Sequence, residues 1–587
     1  MVMIMKILKE LWKSRIAAVL HQLSAEIGPV ILEIPPRPEM GDFAFPMFTY
    51  AKVLKKAPVQ IASLLVSQLN TPEAAAEGPY INIRLNREES APLILSRIFD
   101  PAFCRPEPLA GSKYMVEFSS PNTNKPLHLG HLRNDVLGES LSRILAACGA
   151  EVRKVCIIND RGIHICKSML AYQEQGAGQT PESTGKKSDH FVGDFYVLFN
   201  RLYQQELEKL QGTGLTEKEA EARSTVLNRA QEMLRKWEAG DPETVELWKK
   251  MNQWTISGMK ETYSRTGISF DHYYFESQTY LTGKDEILRG LEQGIFYRAD
   301  DGSVWVDLTG ENLDKKALLR KDGTSLYITQ DIGTAIFRHR DWNFDRLVYV
   351  VGSEQQYHFK VLFSVLQKLG FSWAEDLYHL SYGMVNLPDG KMKSREGTVV
   401  DADDLIDSLA ADALQEIHSK DREDAVGDSA ITAEKIALGA LHYYLLQFSP
   451  AKDMLFDPKE SLSFTGNTGP YLQYMGARIS SMIRKAGSAA ESGSGVHLTG
   501  DAEWELLKSL SSYPQVLTDA AQSLDPSRIA TYLHELSQLF SRFYHDCPVL
   551  TADDPAVVRD RFALSSAALR ILQDALSLIC VPFLEIM

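Results

Sequence analysis

Two short stretches carry residue types that could do chemistry on a phosphate. The first is His128-Leu-Gly-His131, two imidazoles three apart around a glycine. At the start of a helix such a loop offers free backbone N–H groups and a positive dipole end to an anion, and the imidazoles can donate to developing negative charge. The second is Gly390-Lys-Met-Lys-Ser-Arg-Glu-Gly397, a basic run between glycines suited to closing over a triphosphate as pyrophosphate departs. Each has a bland alternative taken alone, a pair of packing histidines and a solvated basic turn. A metal reading is poor: no carboxylate or third histidine stands at ligand spacing near His128, and no HExxH occurs. Neither a GxxxxGK[ST] loop nor a GxGxxG fingerprint is present, so a nucleotide would be held in another way.

The elements around these stretches place them. Tyr114 to Phe118 reads as a strand, followed by the loop SSPNTNKPLHLGH, a helix from about His131 and a second strand, Val152 to Ile158. This order is a βαβ unit, the start of a parallel doubly wound sheet. Arg346 to Val351 and Ser381 to Leu387 read as further strands of it, so the basic run follows its last strand. The charged, helix-rich stretch 171–308 reads as one insertion, and strands vanish after Asp401. The expected fold is α/β: an α+β domain over 1–109, a Rossmann-type catalytic domain over 110–410 containing the insertion, a helical connector over 411–465 and an all-α bundle over 466–587.

Composition sets limits. A chain of 587 residues is too long for one core. The apolar positions of the first twenty residues follow helical spacing rather than the continuous run of a secretory leader, and no window reaches the roughly 18 apolar residues of a membrane span. Six scattered cysteines without a CxxC pair argue against disulfides and thiolate zinc, as expected in a reducing cytoplasm. The net charge of −15 gives no global signature of nucleic-acid binding, although a local basic strip suffices for phosphate contacts. One such mixture is Tyr471, Tyr474, Arg478 and Arg484 on a single helix, suited to stacking bases and touching phosphates or, equally, to packing with a solvated face.

Together, HLGH and KMKSR resemble the HIGH and KMSKS signatures of class I aminoacyl-tRNA synthetases. The runs VEFSSPNTNKPLHLGHLRND, YITQDIGTA, VVGSEQQYHF and GKMKSREGTVV resemble, in order, the blocks of the arginyl family, GDFAFPMF its extra N-terminal domain and FTGNTGPYLQYMGARISSMIRK the entry of its anticodon-binding (DALR-type) bundle. The resemblance implies an enzyme that activates L-arginine with ATP and Mg²⁺ and esterifies it to the 3′ end of tRNA-Arg, a cytoplasmic monomer with no dedicated metal ligands. It implies that Lys125, His128, Gly130, His131, Met392, Lys393, Ser394 and Arg395 serve ATP and the activation chemistry. Glu117, Ser119, Asn122, Tyr327, Asp331 and Gln355 would bind arginine, with Asp331 on the guanidinium, and residues 1–109 would touch the tRNA elbow. Two departures stand out: Ser394 occupies the place of the second KMSKS lysine, for which Lys125 is the implied replacement, and Asn159-Asp160-Arg161-Gly162 replaces a G-D-W-G type turn, removing an aromatic wall. A catalytically silent tRNA-binding paralog and another class I synthetase remain as alternatives.

Overall fold

A computed structural model describes residues 4–24, 26–280, 283–386, 388, 400–420, 422, 426–486 and 494–587. The first helix, Ile4–Leu23, buries Trp12, Ile16 and Leu20, which recur every fourth residue and so share one face. That face packs on helix Pro58–Leu69, which in turn covers an antiparallel sheet of β1 (Phe43–Pro46), β2 (Ala74–Glu77) and β3 (Tyr80–Ile83) in the order β1-β3-β2. This unit is fastened to the C-terminal helices through Asp42. Its buried carboxylate accepts from Leu85 N–H (2.9 Å), Trp504 Nε1 (2.8 Å) and Lys508 Nζ (3.0 Å).

The catalytic sheet contains β4 (Lys113–Glu117), β5 (Glu151–Ile158) and β6 (His272–Phe275). A separate small sheet follows, made of β7 (Tyr297–Arg298), β8 (Val304–Val306) and β9 (Lys316–Leu319). Then β10 (Arg346–Gly352) and β11 (Leu377–Tyr382) complete the main sheet in the parallel order β11-β10-β4-β5-β6. Chain direction across the sheet reverses between β4 and β10, and in open parallel sheets the crevice beyond the carboxyl ends at that point is where ligands bind. Helix Leu129–Ala147 packs on the sheet so closely that a Cβ at Gly138 would lie 2.1 Å from Phe118 Cγ, which only glycine allows.

Three expectations need correction. The stretch 171–308 is not a single insertion: helices Ser188–Gly212, Thr225–Glu238 and Pro242–Thr266 enclose their own core of Phe191, Phe195, Phe199, Met233 and Met251, after which β6 returns to the edge of the main sheet. His272–Phe275 is too short and aromatic-rich to stand out by alternation. The last sheet strand lies earlier than Ser381 to Leu387. Val385–Asn386 (β12) instead pairs with Met454–Leu455 (β13), so short strand pairing persists beyond Asp401. Elsewhere the C-terminal part is helical, with Gly469–Ala486, Asp501–Ser523, Ser527–Asp546 and Pro555–Leu578 as its long helices. All six cysteines are buried free thiols, and among the described residues no helix is long and apolar enough to cross a membrane.

Candidate active site

The loop after β4 delivers His128 as the N-cap of helix Leu129–Ala147. Its Nδ1 accepts the Gly130 N–H (3.1 Å), and His131 Nδ1 accepts the His128 N–H (3.2 Å). Each ring thus uses Nδ1 as an acceptor, which puts the proton of a neutral imidazole on Nε2. The rings lie 3.9 Å apart between centroids. Burial, reinforced by the neighbouring Lys125, pushes His128 down to about 3, and burial pushes His131 well below the usual imidazole range. Both are therefore neutral at physiological pH, two preset Nε2–H donors at a helix N-terminus. Lys125 is itself pulled down by burial.

Met392, Lys393, Ser394 and Arg395 lie outside the described residues. Their downstream flank is placed: Leu129 N–H donates to Val400 O (3.1 Å), Ala402 N–H to Leu127 O (3.0 Å), and His128 and Asp401 form an antiparallel bridge. The first signature is thus joined by backbone to the segment that follows the second.

Beyond the carboxyl ends of β4, β5 and β6 opens a cleft of about 820 Å³ whose walls include Asn122, Arg161, Glu276, Tyr327 and Asp331. Tyr327 is 76% exposed at its mouth, while Asp331 meets His358 Nε2 at 2.6 Å. Glu276, directly after β6, is pushed up to about 7, first by burial and further by Asp160 and Asp331, while Arg161 draws it down. The cleft therefore holds two nearby carboxylates, a geometry suited to a planar cation.

The remaining expected residues sit differently. Glu117 is buried in an ion pair with Arg338, whose guanidinium also lies 5.0 Å from the Tyr274 ring centroid. Burial pushes the Glu117 carboxyl up while Arg338 pulls it down. Ser119 Oγ bonds the Tyr263 hydroxyl (2.6 Å), and Ser119 and Ser120 both adopt left-handed backbone (φ +72° and +51°), a strained turn of the kind that clusters at binding sites. Gln355 is exposed in the turn after β10, outside the cleft walls. Glu276, His358 and Arg338 escaped the sequence reading. Recognising β6 would have pointed to Glu276, because the residue following a parallel strand faces the crevice.

On helix Gly469–Ala486, Tyr471, Tyr474 and Arg478 share a face. Tyr474 is exposed, Arg478 stacks on Tyr544 at 4.2 Å, Tyr471 hydroxyl approaches Ser541 Oγ (3.3 Å), and Arg484 donates to Glu585 O (3.2 Å).

Comparison with known proteins gives the context of this geometry. The family described as tRNA synthetases class I (R), catalytic domain, matches residues 107–457, the DALR anticodon binding domain matches 472–587, and the arginyl tRNA synthetase N terminal domain matches 10–85. The arginine–tRNA ligase of Treponema denticola is 56% identical, over 99% of this chain and 100% of its own. That of Parabacteroides distasonis is 47% identical over 93% of each. The solved arginyl-tRNA synthetase of Thermus thermophilus superposes with a TM-score of 0.78 at 26% identity, covering 98% of this chain and 100% of the other. With a parallel sheet whose cleft opens beyond the carboxyl ends of β4, β5 and β6 and two histidines at the N-terminus of the helix that follows β4, the match over residues 107–457 makes the chain a class I aminoacyl-tRNA synthetase. Within that class it belongs to the arginine–tRNA ligases.

Proposed function

We propose that the cleft holding Glu276 and Asp331 is the arginine site of an arginine–tRNA ligase and that the His128–His131 turn beside it holds ATP. The observation carrying this reading is the pair of carboxylates facing one cleft at the end of the sheet that also presents the two neutral imidazoles. A guanidinium between Glu276 and Asp331, under Tyr327, leaves the substrate carboxylate directed toward the switch point. Asn122, with Ser119 and Glu117 behind it, is assigned to the main-chain end, Glu117 sharing its charge with Arg338, and Gln355 to the rim.

In activation, an oxygen of the arginine carboxylate forms a bond to the α-phosphorus of ATP as the bond to pyrophosphate breaks. The chain offers no covalent nucleophile for this step and needs none: it orients the reactants and offsets charge. His128 and His131 donate from Nε2, Gly130 lets the base approach the backbone, and Lys125 with Met392, Lys393, Ser394 and Arg395 attends the phosphates. A terminal ribose hydroxyl of tRNA-Arg then attacks the arginyl carbonyl and AMP leaves. The single His/Asp cluster with metal-ligand spacing among the described residues, Asp189, His190 and Asp403, is spanned by Lys187 Nζ (3.0 Å to Asp189, 2.8 Å to Asp403), so it does not fit a divalent ion. Mg²⁺ accordingly belongs with the ATP phosphates, held by them and by water. Residues 466–587, with Tyr471, Tyr474, Arg478 and Arg484, are assigned to the anticodon arm and residues 1–109 to the elbow of tRNA, in a cytoplasmic monomer.

The test is pyrophosphate exchange with each of the twenty amino acids, with and without tRNA-Arg. Exchange with arginine and dependence on Asp331 are expected. Asp331→Ala and Glu276→Gln enzymes that keep the normal arginine KM overturn the site assignment.

A further inference from the structure

Asn122, assigned to the main-chain end of the substrate, is exposed on a wall of the cleft, whereas its neighbours Pro121 and Thr123 are buried. An amide carried on a loop keeps one direction only if the backbone on both sides of it is held. The loop after β4 does not hold itself. Ser119 and Ser120 take left-handed backbone, φ +72° and +51°, which a serine keeps only where its surroundings impose it.

One side of this loop is tied to the sheet. Asn134, from helix Leu129–Ala147, accepts the Ser119 N–H and donates to Val350 O (2.7 Å) in β10 and to the Tyr382 hydroxyl (3.1 Å) in β11. Thr123 N–H donates to Asn159 O (3.1 Å), and Asn159 Nδ2 to Ser120 O (3.1 Å). The other side is tied to helix Pro242–Thr266, on which Trp248, Asn252, Thr255, Met259 and Tyr263 recur at spacings of three and four and so share a face. Trp248 Nε1 and Asn252 Nδ2 reach the Asp160 carbonyl after β5 (2.5 and 3.4 Å). Thr255 Oγ1 reaches Thr123 O (3.1 Å), sharing its proton with the Met251 carbonyl of its own helix (3.1 Å). The Tyr263 hydroxyl shares a hydrogen bond with Ser119 Oγ (2.6 Å).

Ser119, Thr123, Thr255 and Tyr263 are all buried, so solvent does not stand in for a lost bond. Packing alone does not call for the tyrosine hydroxyl either. The Tyr263 ring meets Phe270 edge-on (5.1 Å), and Phe270 lies against Phe118 (4.5 Å), a cluster in which phenylalanine would serve equally well.

We propose that Tyr263 and Thr255 are positioning residues for the amino acid: from one helix face they hold the loop after β4 at Ser119 and at Thr123, on either side of Asn122, and so set where that amide meets the substrate's main-chain end. The proposal rests on the reading of this cleft as the arginine site. Its consequence is a division along the ligand. Loss of either hydroxyl loosens the grip on the amine and carboxylate of arginine and leaves the guanidinium end at Glu276 and Asp331 untouched.

The test is pyrophosphate exchange by the full-length enzyme with tRNA-Arg, read beside inhibition by n-butylguanidine, which has the guanidinium and chain of arginine but neither amine nor carboxylate. In Tyr263→Phe, kcat/KM for arginine is expected to fall about tenfold, within the range for a buried hydroxyl that loses its partner. The ATP KM and the butylguanidine Ki stay at wild-type values. Ser119→Ala shows the same fall, and Tyr263→Phe adds little to it, because both variants remove one bond. Thr255→Val acts as Tyr263→Phe does and Thr255→Ser restores the rate, a pair that decides the matter if Tyr263→Phe melts prematurely. A wild-type kcat/KM in Tyr263→Phe or in Thr255→Val overturns that residue's role. Additive losses with Ser119→Ala, or a loss matched by an equal rise in the butylguanidine Ki, overturn the proposal. A butylguanidine Ki that Asp331→Ala leaves unchanged overturns instead the arginine-site reading beneath it.

Discussion

Lys125→Ala asks where the positive charge for phosphoryl transfer comes from. The imidazoles of His128 and His131 are held neutral, so they donate hydrogen bonds but bring no full charge. Ser394, at the place of the second signature lysine, brings none either. Lys125 is three residues before His128, lines the same small pocket and is partly desolvated, and a cation there acts in a medium far less polar than water. At an effective dielectric of about 20 and a separation of about 4 Å, one added negative charge is worth about 4 kcal/mol. Water admitted with the nucleotide lowers that figure, so the expected loss in kcat is about 10²- to 10³-fold. The assay is kcat in tRNA-dependent pyrophosphate exchange with arginine and ATP saturating. The ATP KM should move much less, and Ser394→Lys should return part of the rate. A Lys125→Ala enzyme with near-normal kcat beside a dead Lys393→Ala enzyme refutes the reasoning and assigns the charge to the basic run.

Three further outcomes concern stability. Arg338→Met strands the buried Glu117 carboxylate and should cost about 3–5 kcal/mol in urea unfolding, whereas the double variant with Glu117→Gln should recover much of it. Asp42→Ala leaves the Trp504 and Lys508 donors without their acceptor, and a loss of about 2–3 kcal/mol with earlier proteolysis between the N-terminal unit and the remainder is expected; an unchanged Tm contradicts the fastening role. Burial holds His442 down at about 4, its Nδ1 hydrogen-bonded to the Cys580 carbonyl at 2.7 Å. The unfolded chain binds this proton below about pH 6.5 and the folded one does not, so stability falls by roughly 3 kcal/mol as pH drops from about 6.5 to 4. His442→Gln should flatten that slope in pH-dependent melts.

The sheet's first crossover and a helix opening at the histidine turn were legible because they rest on local signals, a strand, a polar loop and then apolar helical spacing, although the helix starts at Leu129 rather than at about His131. Asp331 and Tyr327 were reached through the ordered resemblance of neighbouring blocks, since an isolated aspartate in a helix reads as a surface residue. Glu276 was not reached, because β6 is four residues of mixed burial and Glu276 follows it after a long helical excursion. Arg338 looks like an ordinary basic residue in the last turn of its helix, and only the tertiary fold shows that it is buried against Glu117. Arg161 was visible as a departure, but the rings its guanidinium lies against, Tyr280 (3.8 Å to the centroid) and Trp237 (5.6 Å), come from distant segments.

The neighbour relation between β4 and β10 also has a timetable. Lys113 N–H bonds the Asp345 carboxylate across 232 positions of sequence, and β10 pairs along β4 from there. At ribosomal rates of about 5–20 residues per second, the partner strand is made roughly 12–46 s after β4 emerges. During that interval one side of β4 has no native partner, an open template for the wrong strand. Arg133 prolongs the wait, since its guanidinium is satisfied by the carbonyls of Met384, Pro450 and Lys452. The crevice at the switch point is therefore among the last features of the nascent chain to close, long after the histidine turn that serves it has been synthesised.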